Sequence, residues 1–376
     1  MQIGIDARLN GYRAGGISEY TRHLIQALAL VDGASRYCIL HAARPQLAND
    51  DTADDLTPAA NFRRVNVFTP PHHKLERVAL AAEIARLRLD VLHSPDFIPP
   101  QRGAQHRVIT VHDLAFLHYP QFQTADSVRY YAGHIRAAVR EADHILAVSQ
   151  TTAADLHTLL NVPAEKITVQ LEGVDPAFRP LPVSEIRSVQ QRLGLPSSYL
   201  LFVGTFEPRK NLPGLLEAYH ALCQILPDAP PLVIAGTRGW LYEPIFQKAE
   251  ELKLGQRLIW LEAVTANDLP AIYNGAVLFV LPSFYEGFGL PPLEAMACGI
   301  PTIVSNRGSL PEVVGETGLT VDPDQPAALT EALQCMLTDS ELRERSATAG
   351  LTRAATFTWQ HAAEVALSVY RKVAGC

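Results

Sequence analysis

Cysteine is scarce in this chain. Cys38, Cys223, Cys298, Cys335 and Cys376 are scattered over 376 positions. An odd, dispersed set of thiols builds neither a disulfide framework nor a zinc site, and it suits a reducing cytoplasm. Long apolar runs are also missing. No stretch approaches the roughly 18–20 residues needed to span a bilayer. Residues 2–10 carry Asp6 and Arg8, unlike a secretory leader. Positive charge is not in excess: 32 Lys and Arg stand against 39 Asp and Glu, a net charge of −7. That balance argues against bulk nucleic-acid binding. No G-x-G-x-x-G fingerprint follows the first strand-like run, which lowers the case for an oxidoreductase. The acidic pairs Asp54-Asp55 and Asp322-Pro323-Asp324 fall in polar, loop-like surroundings. No acidic pair is therefore expected to hold a phosphate-bound metal.

What the chain does have is a repeated strand–helix rhythm. Hydrophobic residues make up 48% and charged residues 19%, enough apolar surface for a core in each of two domains. Strands are expected at 2–6, 37–41, 64–68, 90–93, 107–112, 144–149 and 167–170. Helices are expected at 19–30, 75–89 and 127–142, and Ser149 caps a further helix starting near Thr151. Gly173, Pro176, Pro180 and Pro182 read as an inter-domain linker. The rhythm then resumes, with strands at 199–203, 231–236, 258–261, 276–281 and 318–321. Helices follow at 212–226, 267–274, 326–337, 341–349 and 359–373. The pattern predicts an α/β fold with parallel sheets, split as 1–176, 177–357 and a terminal helix at 358–376.

The most informative stretch is 281–312. It leaves an apolar strand, passes through Gly287, Phe288 and Gly289, and enters a helix at Pro291-Pro292, where a missing N–H costs nothing. Gly299 and Pro301 end that helix. Glu286 and Glu294 lie eight residues apart, one before the helix and one inside it. A helix start offers free N–H groups and partial positive charge to a phosphate or oxyanion. Carboxylates accept hydrogen bonds from sugar hydroxyls. A stretch holding both points to a sugar nucleotide. Upstream, Arg209 and Lys210 stand just before another helix, where two cations suit a diphosphate.

The run Glu286-Gly-Phe-Gly-Leu-Pro-Pro-Leu-Glu294 resembles the E-x7-E element of retaining glycosyltransferases of family 4, which have the two-Rossmann GT-B fold. The similarity continues through Ala295-Met-Ala-Cys-Gly299 and Pro311-Glu-Val-Val314. It extends upstream to Val203-Gly-Thr-Phe-Glu-Pro-Arg-Lys-Asn211 and to Gly15-Gly16. The resemblance implies two Rossmann-like domains facing across a cleft, with the last helix crossing back to the N-terminal one. It implies a nucleotide-sugar donor on the C-terminal domain and an acceptor site mostly on the N-terminal domain. Arg209 and Lys210, with the backbone of Gly15 and Gly16 and N–H groups near Gly289-Leu290, would hold the diphosphate. Many family members have an arginine where this chain has Thr205. Glu286 would bind the donor sugar and Glu294 the ribose. Gly287 and Phe288 complete that loop. His112, at a strand end, would contact the donor sugar. Backbone near Val264 would hold the base, so side chains there do not identify it. No cofactor and no metal are implied.

The run Glu207-Pro-Arg-Lys-Asn211 is similar to family members that transfer mannose from GDP-mannose in polysaccharide assembly. A UDP-sugar remains the alternative donor. An epimerase on the same scaffold, or a non-catalytic sugar-nucleotide-binding partner, remains the alternative to a transferase. The acceptor is expected to be a glycan or a lipid-linked sugar. Arg63, Arg64, Lys74, Arg77, Arg86 and Arg88 form a local basic cluster in an acidic chain. They read either as a solvated face or as a peripheral contact with anionic lipid at the inner membrane face.

Overall fold

The structure is a computed structural model that describes residues 1–12, 15–44, 56–73, 75–262 and 264–376. Asp54, Asp55 and Lys74 lie outside the described residues. In chain order the first half runs β1 (Gln2–Asp6), α1 (Gly16–Val31), β2 (Arg36–Ala42), β3 (Phe62–Val67), α2 (Glu76–Ile84), β4 (Leu89–Ser94), β5 (Ala104–Val111). It continues with α3 (Ala115–His118), α4 (Ala125–Glu141), β6 (His144–Ala147), α5 (Gln150–Leu160) and β7 (Ile167–Val169). Next come α6 (Val183–Leu193), β8 (Tyr199–Val203), α7 (Leu212–Ile225), β9 (Leu232–Ala235), α8 (Glu243–Glu251), β10 (Leu258–Leu261) and α9 (Leu269–Asn274). The chain ends with β11 (Ala276–Leu281), α10 (Leu290–Ala297), β12 (Thr302–Ser305), α11 (Leu310–Val314), β13 (Leu319–Val321), α12 (Pro326–Thr338), α13 (Ser340–Ala354) and α14 (Trp359–Ala374).

These elements form two compact units. One holds 1–114, 129–173 and 358–376; the other holds 115–128 and 174–357. The first unit has a seven-stranded sheet in the order β3-β2-β1-β4-β5-β6-β7, and the second a six-stranded sheet in the order β10-β9-β8-β11-β12-β13. All of the strand pairs are parallel, as in β8 against β11 and β1 against β4. Such sheets are covered by helices on both faces, so their strands read as continuous apolar runs. All five residues of β8 are buried accordingly.

The last helix belongs to the core of the first unit. Ala362, Ala363 and Ala366 of α14 are small enough to sit against Leu24, Ile25 and Leu28 of α1 in one buried cluster. Ala362 also accepts a hydrogen bond from Gln170 Nε2 at 2.7 Å. Gly173 allows the chain to pass there: a Cβ on it would lie 2.2 Å from the backbone nitrogen of Trp359.

Some expected boundaries move. The helix expected over 75–89 stops at Ile84, passes through a 3-10 turn at Ala85–Leu87, and reverses at Arg88 with φ 49°. The reversal lets β4 start at Leu89. Helix α1 begins at Gly16 rather than residue 19. The proline-rich linker leads directly into α6, a largely exposed helix opened by Pro182 and closed by Gly194 in the left-handed region. Ser149 accepts a hydrogen bond from Thr152 N at 3.0 Å and caps α5 as its sequence context implies.

Candidate functional site

In an open parallel sheet, ligands bind beyond the carboxyl ends of strands where the strand order reverses. In the second unit β8, β9 and β10 run one way from the centre, and β11, β12 and β13 the other. The reversal therefore lies between β8 and β11. The loops leaving those two strands carry Arg209 and Lys210 on one side and Glu286 on the other.

The side chains meet. Lys210 Nζ donates to Glu286 Oε1 at 2.6 Å, and Arg209 NH1 donates to Glu286 Oε2 at 2.7 Å. Ser283 Oγ adds a bond to Oε1 at 2.7 Å. Arg209 is also held by the Tyr285 carbonyl at 2.7 Å and by Glu207 Oε1 at 2.6 Å. Backbone joins the two loops as well, with Phe284 N bonded to the Arg209 carbonyl at 2.8 Å. Glu286 is buried, at 6% exposure. Burial alone would push its carboxyl up, but Arg209, Lys210 and the bond from Ser283 together bring it down to about 2. It is an anion at any neutral pH, and so only a hydrogen-bond acceptor.

Two residues without an assigned role in the sequence reading hold Glu286 in place. Ser309 N and Oγ both donate to the Glu286 carbonyl, at 3.1 and 3.0 Å. The single Ser309 hydroxyl proton is shared between that carbonyl and the Phe288 carbonyl. Gly308, with φ 61°, packs flat against the same peptide: a Cβ would lie 2.7 Å from the Glu286 carbonyl oxygen. Both residues fall within the 281–312 stretch, and the Gly-Ser pair before α11 is the signal that could have marked them.

The other expected residues are placed as follows. Gly289 takes φ 116° and caps α10, so Leu290 opens the helix with Pro291 and Pro292 in its first turn. Gly287 and Phe288 are buried in the loop between Glu286 and that helix. The Phe288 ring turns toward Phe357, 6.0 Å between centroids. Glu294, within α10, accepts a bond from the Tyr273 hydroxyl at 2.7 Å. Burial and the Glu294 charge raise the Tyr273 phenol well above its usual value, so it stays a donor. Val264 follows β10 and is half-buried, next to Ala263, which lies outside the described residues.

Gly15, Gly16 and His112 belong to the first unit. Gly15, at φ 147°, precedes α1, and among the described residues nothing lies within 4 Å of a Cβ placed on it or on Gly16. His112 is half-buried. Its Nε2 lies 3.1 Å from the Pro95 carbonyl and its Nδ1 3.2 Å from Glu172 Oε1. Tyr20 packs edge-on against its ring. Both ring nitrogens thus face oxygen acceptors, and contact with a sugar requires one of these bonds to be exchanged. His93, the other strand-end histidine, is fully buried between Thr110 Oγ1 and the Tyr370 hydroxyl, each at 2.7 Å. Burial, with a smaller contribution from His112, brings it down to about 3. It is a neutral core residue.

Two cations thus meet one permanent carboxylate at the sheet's switch point. Comparison with known proteins decides the family. The description "Glycosyl transferases group 1" matches residues 185–353, and "Glycosyltransferase Family 4" matches residues 14–178. O-antigen chain mannosyltransferase B of Escherichia coli is 33% identical, over 96% of this chain and 97% of that protein. The chain is a family 4 glycosyltransferase. Serotype-specific mannosyltransferase WbdA of Escherichia coli is 31% identical over 73% of the chain, which spans only 34% of that larger relative. Among solved structures, sucrose-phosphate synthase from Thermosynechococcus elongatus superposes with a TM-score of 0.78 at 22% identity. That match covers 99% of this glycosyltransferase and 98% of the other chain. The likeness establishes the GT-B fold.

Proposed function

We propose that this glycosyltransferase moves mannose from GDP-mannose to a glycan or lipid-linked acceptor, with retention of configuration and without a metal. The arrangement Arg209–Glu286–Lys210 carries the reading. The two cations face a carboxylate. A donor diphosphate offers them a richer acceptor, and the two cations then stabilise the charge that grows as the nucleoside diphosphate leaves. Glu286, kept ionised, accepts hydrogen bonds from the donor sugar. A carboxylate brought down to about 2 is a weak base, which disfavours Glu286 as a nucleophile. Same-face attack is the alternative: the acceptor hydroxyl gives its proton to a leaving phosphate oxygen as the new bond forms and the old one breaks. Glu294 reads the ribose and His112 the sugar. Mannose is supported by the O-antigen chain relative, and GDP by the resemblance of the Glu207–Asn211 run.

Work at an anionic membrane face is part of the proposal. Arg63, Arg64, Arg86 and Arg88 are exposed, and the same part of the chain exposes Phe68 at 76%, Leu75 at 65% and Val78 at 57%. Arg77 leaves the cluster, because it bonds Glu141 and the Pro99 carbonyl. Among the described residues no helix is long and apolar enough to cross a membrane.

Incubation of purified protein with GDP-mannose, UDP-glucose and UDP-GlcNAc, without acceptor and with or without EDTA, tests the donor. Slow GDP release unaffected by EDTA is the expected result. UDP release would reassign the donor, and an epimerised donor would reassign the reaction.

A further inference from the structure

Helix α9 is short, but it is held from both sides. The Tyr199 hydroxyl donates to the Ile272 carbonyl at 2.6 Å. Asn274 Nδ2 donates to the Arg179 carbonyl at 2.9 Å, and Asn274 Oδ1 accepts from Leu181 N at 2.9 Å. Just before its first residue, Asp268 pairs with Arg192. Tyr273 stands between these anchors and is fully buried. Its ring lies edge-on to Phe178, 5.6 Å between centroids, and tilted against Phe279 at 5.7 Å. Backbone and ring are therefore fixed independently of the hydroxyl.

That hydroxyl has one partner among the described residues, Glu294 Oε2 at 2.7 Å. Phenylalanine would fill the same space against Phe178 and Phe279, so packing does not account for the oxygen. A buried phenol needs an acceptor, and here the acceptor is a carboxylate on α10. The two partners are unequal. Tyr273 is enclosed, whereas Glu294 is half-buried and carries its carboxylate on a long, rotatable side chain. The fixed group sets the position of the flexible one. A carboxylate accepts through both oxygens, so a bond to Oε2 orients it without exhausting it.

We infer that Tyr273 is a positioning residue for nucleotide recognition: it holds Glu294 in the rotamer that receives the ribose hydroxyls. The inference rests on the reading of Glu294 as the ribose ligand. Ordering that side chain is then accomplished by folding and not by binding, which favours the complex. Glu294 touches the nucleotide, and Tyr273 acts only through Glu294. Loss of the phenol oxygen should therefore weaken only those nucleotides that carry ribose hydroxyls.

Calorimetry on the full chain tests this, with the tighter of GDP and UDP and with the 2′,3′-dideoxy form of the same nucleotide. The wild type is expected to bind the ribonucleotide about tenfold more tightly than the dideoxy form. Tyr273→Phe is expected to weaken the ribonucleotide about fivefold and to leave the dideoxy form nearly unchanged. In a Glu294→Ala background the two should bind alike, and adding Tyr273→Phe should alter neither. Thermal unfolding checks that each variant folds, and Tyr273→Met, which also lacks the hydroxyl, repeats the measurement. Equal losses for both nucleotides, or unchanged ribonucleotide binding in both Tyr273 variants, would assign Tyr273 to the core alone and overturn the inference. Discrimination lost in Glu294→Ala but intact in Tyr273→Phe sinks this inference and leaves the ribose reading standing. Binding of neither nucleotide, no discrimination by the wild type, or discrimination that survives Glu294→Ala sinks the ribose reading and this inference with it.

Discussion

The ammonium of Lys210 lies 2.6 Å from Oε1 of Glu286, and through that contact the charge proposed to hold a phosphate is tied to the carboxylate proposed to read a sugar. Neither residue can be changed without altering the other's environment. Lys210→Ala is expected to lower turnover by roughly 10²–10³. Affinity for the free nucleoside should change far less, because the lost contact is to phosphate. Steady-state rates at saturating donor, beside calorimetry of nucleoside binding, make the comparison. Near-normal turnover would remove Lys210 from the mechanism.

Glu286→Gln and Glu294→Gln are expected to part company. The first swaps an acceptor for a donor at the carboxylate proposed to read the sugar and should impair transfer with GDP affinity nearly intact. The second, at the carboxylate proposed to hold the ribose, should weaken both. Titration of each variant with GDP settles the assignment; equal losses of affinity would show that the division of roles is wrong.

Gly308→Ala is expected to reduce turnover at least tenfold without removing any charged group. The new methyl would meet the Glu286 carbonyl oxygen at 2.7 Å, in a backbone conformation that alanine resists. Circular dichroism should show an intact fold. Full activity would mean that the Glu286 loop shifts freely and that its position is not held by Gly308.

Acid should weaken the first unit through His93. Its folded value is about 3 against 6.5 when free, so it is neutral in the native state. Below pH 6.5 the unfolded chain takes up a proton that the folded chain refuses. Stability is therefore full above 6.5 and falls as the pH drops toward 3, by about 2 kcal/mol at pH 5. Denaturant midpoints at pH 7.5 and 5.0, for the wild type and His93→Gln, report the slope. A slope unchanged by the substitution would assign the acid sensitivity to another group.

Binding to anionic vesicles is expected to fall steeply with salt, since attraction of this kind is screened beyond roughly 8–10 Å at physiological ionic strength. Reversing Arg86 and Arg88 to Glu should reduce it further while donor hydrolysis persists. Sedimentation with anionic and neutral vesicles measures both. Salt-independent or absent binding in the wild type would return the arginines to a solvated face and favour a soluble acceptor.

Much of this protein is legible without coordinates, because part of its information is local. Buried parallel strands must be apolar throughout, and 199–203 and 276–281 emerge with the boundaries their composition implies, as does the half-buried edge strand 258–261. The Pro and Gly residues around 287–301 punctuate a loop, a helix and a strand for reasons confined to their own backbone. The charged and glycine residues of that stretch and of 207–211 likewise announce the family. Helix α6 follows the linker prolines and is hidden by them in the sequence, although Pro182 and Gly194 bracket it.

Tertiary structure alone decided which charges are spent and which are on offer. Arg8 bonds Glu76, which stands 68 positions away, and only the meeting of the chain after β1 with the start of α2 buries the pair. His93 and His112 occupy similar strand ends in sequence. One is enclosed by Thr110 and Tyr370, and the other stays half-exposed beside Glu172. Lys210 and Glu286 are 76 residues apart and meet because β8 and β11 are neighbours in the sheet. Strand order is set by the burial of whole faces, a sum over distant contacts that no short window of sequence contains.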